Sequence, residues 1–275
     1  MISSRVRTAL PSLGLLMALL GAGIVVSLGG CAAQPGATDT PLEYQTASDE
    51  TEARKRARTR VLLASSYFEN GQYAVALDEQ KKAVQADPSF PDAYNLGGLV
   101  YMALGDNAMA LANFQRAIAL NPRDANALHN MGWLHCQAGR HGDAAVAFQR
   151  AIAVPAYQER AKTMMTQGIC EARSGDTAKA EATLMRAYEL DAGNPVTGYN
   201  LALLLYNRAD YGRAQFYIRR LNNSELANAE SLWLGIKVER RMNNRQAMEQ
   251  LASQLRRRFP QSRELLAYER GSFDE

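Results

Sequence analysis

One period runs through most of this 275-residue chain. Ala64, Gly98, Gly132, Gly168, Ala202 and Gly235 follow one another at intervals of 34, 34, 36, 34 and 33 residues. Other positions keep step. Three residues on stand Tyr67, Tyr101 and His135, and seven on stand Gly71, Gly105, Gly139 and Gly175. Twelve on, every unit has alanine: Ala76, Ala110, Ala144, Ala180, Ala214 and Ala247. Pro88 and Pro122 close the first two units at one phase, and Pro155 closes the third one place early. A period of this length means that each unit buries its apolar face only by stacking on its neighbours.

Each unit reads as two amphipathic helices, A and B, joined by a short turn such as Glu69-Asn70-Gly71-Gln72 or Leu104-Gly105-Asp106-Asn107. Small residues allow A and B to approach closely, and glycine accepts the left-handed backbone that ends a helix. Asp-Pro and Asn-Pro then stop helix B and start the next unit. The pattern resembles the tetratricopeptide repeat (TPR) over about residues 57–260. That resemblance implies an all-α, right-handed superhelix of about six repeats. Units five and six carry it more weakly: Ala209 and Met242 stand where the turn glycine is expected, and the closing proline is absent or displaced to Pro260.

The segment before the repeats has a different character. Arg5 and Arg7 give a short basic start, residues 1–30 contain no acidic residue, and Leu10 to Leu28 carries no charge. These are the first two regions of a secretory signal. A membrane-spanning helix needs about 20 apolar residues, but Pro11, Gly14, Gly21, Gly23, Gly29 and Gly30 are scattered here. Leu28-Gly29-Gly30-Cys31 resembles the bacterial lipobox. The resemblance implies that residues 1–30 are a lipoprotein signal peptide, that Cys31 is the lipidation site carrying palmitate-type acyl chains, and, through Ala32, an outer-membrane address facing the periplasm. Residues 31–56 are polar, with Pro35, Gly36 and Pro41, and are expected to form a flexible tether. Residues 261–275 are expected to be a capping tail with a helical turn or two around Arg263–Tyr268.

Without residues 1–30, which hold Arg5 and Arg7 out of 31 basic residues, 29 basic face 28 acidic ones, a formal charge of +1. That balance offers nothing for nucleic acid. Cys136 and Cys170 belong to no Cys-x-x-Cys pair, so no metal site is expected. Export permits a disulfide between them, yet two buried thiols are the expectation. His129, His135 and His141 are spaced six apart, which turns the first two to different helix faces. No His-x-x-x-His, Gly-x-Ser-x-Gly or Walker loop occurs, and neither an enzyme nor a cofactor is expected.

Binding is the remaining role. The TPR resemblance implies that A helices line a concave groove. In that phase the candidate partner-binding residues are Leu62, Phe68, Asn95, Leu99, Met102, His129, Asn130 and Trp133. Some TPR domains clamp a C-terminal carboxylate with Lys and Asn, at positions where this chain has Val61 and Ser65, so another ligand mode is expected. Leu96, Leu99 and Met102 could instead pack between units, whereas Trp is enriched at binding hot spots. From Arg208 to Arg258 eleven basic residues face five acidic ones, which reads as a solvated arginine-rich surface or a docking face for an acidic partner or anionic lipid.

Several stretches resemble the type IV pilus biogenesis and stability lipoproteins, the PilF/PilW pilotin family. They are the runs 95–101, 114–122 and 129–133, with the ending Gln254-Leu255-Arg256-Arg257-Arg258-Phe259-Pro260. The resemblance implies a pilotin that binds secretin subunits by protein-protein interaction and promotes their localisation and assembly at the outer membrane. The alternative is a periplasmic TPR scaffold for peptidoglycan enzymes or another envelope complex.

Overall fold

The computed structural model describes residues 49–273. The signal peptide, Cys31 and most of the tether lie outside the described residues. Within them the chain is helical throughout, with no strand. The helices are α1 Glu52–Glu69, α2 Tyr73–Ala86, α3 Pro91–Ala103, α4 Asn107–Leu120, α5 Ala125–Gln137, α6 His141–Ile152 and α7 Arg160–Arg173. After these come α8 Thr177–Leu190, α9 Pro195–Asn207, α10 Tyr211–Asn222, α11 Ala229–Arg241, α12 Arg245–Arg258 and α13 Arg263–Arg270. Odd-numbered helices up to α11 are the A helices of six repeats, and even-numbered ones are the B helices. Helix α1 begins at Glu52, inside the segment expected as tether, because Thr51 caps it by accepting from the Arg54 amide. None of the described helices is long and apolar enough to cross a membrane.

The period has a steric cause that the structure makes explicit. A Cβ built on Gly98 would lie 2.7 Å from Phe114 Cζ, one on Gly132 2.8 Å from Phe148 Cδ1, and one on Gly168 2.7 Å from Leu184 Cγ. In each unit the partner stands sixteen residues later, on helix B. Where the anchor is alanine, the partner is not aromatic: Ala202 shares a buried cluster with Ile218. The small residue of helix A is thus the socket for a large side chain of helix B, at the native density that leaves no room for more.

The sixth unit corrects the sequence register. Its left-handed turn residue is Asn243, φ 57°, and not Met242; the fifth unit uses Ala209, φ 61°, as expected. Asparagine tolerates this conformation better than other non-glycine residues. All six turns close alike, with the next amide reaching back five residues: Gln72 to Tyr67, Asp106 to Tyr101, Arg140 to His135, Asp176 to Glu171, Asp210 to Leu205 and Asn244 to Glu239, at 2.9–3.1 Å. Shifting the register by one moves the anchor from Gly235 to Ile236, and the interval becomes 34. Sixteen residues on stands Ala252; both are fully buried in one cluster. The large and small residues have traded helices, which conserves volume and hides the repeat from a search for small anchors.

The one long interval, Gly132 to Gly168, arises in the connection between α6 and α7, where Ala156 takes φ 58°. Cys136 on α5 and Cys170 on α7 are disulfide-bonded, with Cα atoms 5.8 Å apart. The expectation of two free thiols is therefore overturned. Both are buried, as expected, and they meet because the position four residues after one anchor packs near the position two after the next, as Phe68 does with Val100 and Met102 with Leu134.

Candidate functional site

A helices of consecutive units contact one another from α1 through α11, and α13 extends the row by packing on α11. Among the described residues no B-helix backbones approach one another as the A helices do, and α8 and α10 meet only through side chains, Arg213 with Glu181 and Tyr217 with Met185. The A row is therefore the tighter, inner face and the B row the outer one, which places all eight candidate groove residues on the inner row of α1, α3 and α5.

Their surroundings differ. Leu62 is 67% exposed and offers an apolar side chain directly to solvent. Phe68 packs with Ala64, Ala76, Leu96 and Val100 between the first two units. Leu99 and Met102 lie against Ala110, Phe114 and Leu134, so they serve mainly to join units two and three. Trp133 is half-buried beside Phe148 and the Cys136–Cys170 bond, with the Arg173 guanidinium 5.0 Å above its ring. The polar candidates are all bonded within the inner row. Asn130 Nδ2 donates to Asn95 Oδ1 at 3.0 Å, tying α5 to α3. His129 Nδ1 and Thr163 Oγ1 are 2.9 Å apart, tying α5 to α7, and Tyr157 Oη reaches the same hydroxyl at 3.0 Å. This ladder fixes the spacing of A helices and sets the floor of the groove.

Burial pushes the His129 imidazole down to about 4, with the Lys162 ammonium adding to the effect. The unfolded chain binds this proton near pH 6.5. Native stability from His129 is thus fully present above about pH 6.5 and is lost as pH falls from there toward 4. A shift of this size corresponds to about 3 kcal/mol. Urea unfolding at several pH values should show His129→Gln removing much of the decline between pH 6.5 and 4, while the wild type keeps it.

The sequence reading missed the other end of the inner row. A cavity of about 400 Å³ opens there, lined by Tyr199 and Leu203 of α9, Trp233 and Lys237 of α11, and Arg263 and Glu264 of α13. Phe273 stacks on Trp233 at 5.3 Å, and Lys237 Nζ lies 5.7 Å over the same indole. Trp233, one of two tryptophans in the chain, sits in the unit whose register the repeat search misplaced by one. The basic run is largely spent internally. Arg208 and Arg213 pair with Glu181, Arg219 with the buried Glu239, and Arg220, Arg240 and Arg256 lie over Tyr188, Phe273 and Tyr268.

A stacked row of helix pairs with sockets at a 34-residue period defines a class. The described residues have the tetratricopeptide-repeat fold, and such folds typically serve as protein-interaction scaffolds. Family models for the tetratricopeptide repeat and the TPR repeat match residues 90–156 and 64–105. Among solved structures, the chain is similar to PilW, described as a widely conserved type IV pilus biogenesis factor: 28% identity, TM-score 0.70, covering 77% of this chain and 97% of that one. It is also similar in fold to PilF of Pseudomonas aeruginosa, at 24% identity and TM-score 0.71, over 80% of this chain and all of that one. YrrB, described as a TPR protein with an unusual peptide-binding site, shares the fold at 15% identity and TM-score 0.53, over 70% of this chain and 97% of that one. No curated protein matches the chain in sequence.

Proposed function

We propose that this protein is a lipid-anchored pilotin of type IV pilus biogenesis, which holds a secretin subunit on its inner helix row and promotes secretin assembly at the outer membrane. The observation that carries the reading is the likeness to PilW, which runs through almost the whole of that protein at 28% identity. An amphipathic segment laid in a groove uses its apolar side for affinity and its polar edge for register. Leu62 supplies apolar surface here, and the Asn95–Asn130 and His129–Thr163 pairs supply a polar floor. The acyl group on Cys31 would carry the complex: one chain holds a protein to a membrane only marginally, and two or more hold it stably.

Cells lacking the chain should lose detergent-resistant secretin multimers from the outer membrane while secretin monomer persists. Cys31→Ser should lose palmitate labelling and fail to restore them. Unchanged multimers in the deletion would overturn the pilotin reading, and labelling that persists in Cys31→Ser would overturn the anchor.

A further inference from the structure

Cys136, at the end of α5, Cys170, on α7, and His141, the first residue of α6, converge from three helices. Their sulfur and imidazole ligand atoms all lie within 4.8 Å of one another, and His141 Nδ1 is 3.5 Å from Cys170 Sγ. A tetrahedral zinc site with metal–sulfur bonds of about 2.3 Å and metal–nitrogen bonds of about 2.05 Å has sulfur–nitrogen edges of about 3.6 Å and sulfur–sulfur edges of about 3.8 Å. The histidine already stands at the first of these distances from Cys170. The two sulfurs must part, and Cα atoms 5.8 Å apart leave room for rotamer changes to do that.

We propose that the reduced protein binds one zinc-class divalent cation through Cys136, Cys170 and His141, and that the disulfide is the closed, metal-free state of the same site. In the first step a dithiol gives two electrons and two protons to the Cys136–Cys170 bond and leaves as its own disulfide. In the second, the cation takes the two sulfurs as thiolates and releases their protons to solvent. Two thiolates and an imidazole suit zinc or cobalt and disfavour magnesium or calcium. The fourth position opens toward a cavity of about 220 Å³, lined by His141, Gln167, Cys170, Glu171 and Lys179. There Glu171 Oε1 accepts from Gln167 at 2.7 Å, whereas its buried Oε2 has no hydrogen-bond partner. That orphaned acceptor suits an outer partner for a metal-bound water. Neither cysteine belongs to a Cys-x-x-Cys pair, so the site is invisible in sequence, and the proposal departs from the expectation of no metal. It is independent of the pilus reading.

The test is anaerobic titration of the full chain with cobalt(II), after treatment with a resin-bound dithiol that is removed before metal is added. Folding is followed by circular dichroism. The expected result is one equivalent bound, with a thiolate-to-cobalt absorption band that the oxidised protein lacks. His141→Ala keeps both thiols and should weaken binding by about a hundredfold, since even an outer partner typically changes affinity by about ten- to a hundredfold. Cys170→Ser should lose most of the band. The proposal is overturned if the reduced protein shows no thiolate band, if His141→Ala binds cobalt as tightly as wild type, or if reduction itself abolishes the helical signal.

Discussion

Replacing both cysteines, Cys136→Ser with Cys170→Ser, should lower the unfolding free energy by about 3–4 kcal/mol. The bond joins residues separated by 34 positions, and closing a loop of that length removes unfolded-state entropy worth about that much. Its place adds to the argument. A solenoid holds together through nearest-neighbour interfaces, and the junction of units three and four is the one with two extra residues in its connection. The disulfide ties the A helices across that junction, and Trp133 and Phe148 pack beside it. Urea unfolding followed by circular dichroism measures the loss. A change well under 1 kcal/mol would mean that packing alone holds the junction. The variant should remain folded at room temperature, because every other interface is untouched.

The second large effect is at Gly98. Alanine is the better helix former by about 1 kcal/mol, so on propensity alone Gly98→Ala should stabilise α3. Packing reverses the sign. The added methyl group would meet the Phe114 ring, with Cζ at 2.7 Å, and Phe114 is fully buried and cannot swing aside. Overpacking of this kind costs about 1–3 kcal/mol net. The same protein indicates the remedy, since the alanine Ala202 shares its cluster with an aliphatic partner, Ile218. Gly98→Ala combined with Phe114→Leu should therefore be more stable than the two separate losses predict, by about 1 kcal/mol or more of coupling. Simple additivity would sink the socket explanation of the period.

These two residues mark what the sequence makes legible. Gly98, Gly132 and Gly168 could be read directly, because a socket for a large side chain admits few residue types and the period repeats them. The turn glycines were legible for the same reason, as a left-handed backbone is strained for most side chains. Ile236 was not, because the sixth unit keeps the combined volume and exchanges which helix carries the bulk; a search for a small anchor slips to Gly235. The pairing of Cys136 with Cys170 was hidden by phase. The two stand four and two residues after their anchors, and only the packing of adjacent A helices, seen also in Phe68 with Val100 and Met102 with Leu134, brings those phases together. Of the groove, the inner face was readable from the repeat phase. Which residues remain free to bind was not: Phe68, Leu99 and Met102 occupy inner-face positions yet pack largely between units. The cavity beside Trp233 escaped because it needs α13, which lies outside the period.

Leu62 is therefore the residue on which the account is tested most directly. It is exposed on α1, and no other unit depends on it for packing, so a change there reports on binding and not on folding. The measurement is the affinity of the full chain for the secretin subunit, in wild type and in Leu62→Glu, alongside thermal melting of both. The account predicts measurable binding by wild type, a loss of roughly tenfold in the variant, or about 1.4 kcal/mol, and an unchanged melting temperature. Equal affinity in the two proteins would contradict a secretin held on the inner row of the first repeats, and absence of binding by the wild type would contradict the secretin partner itself.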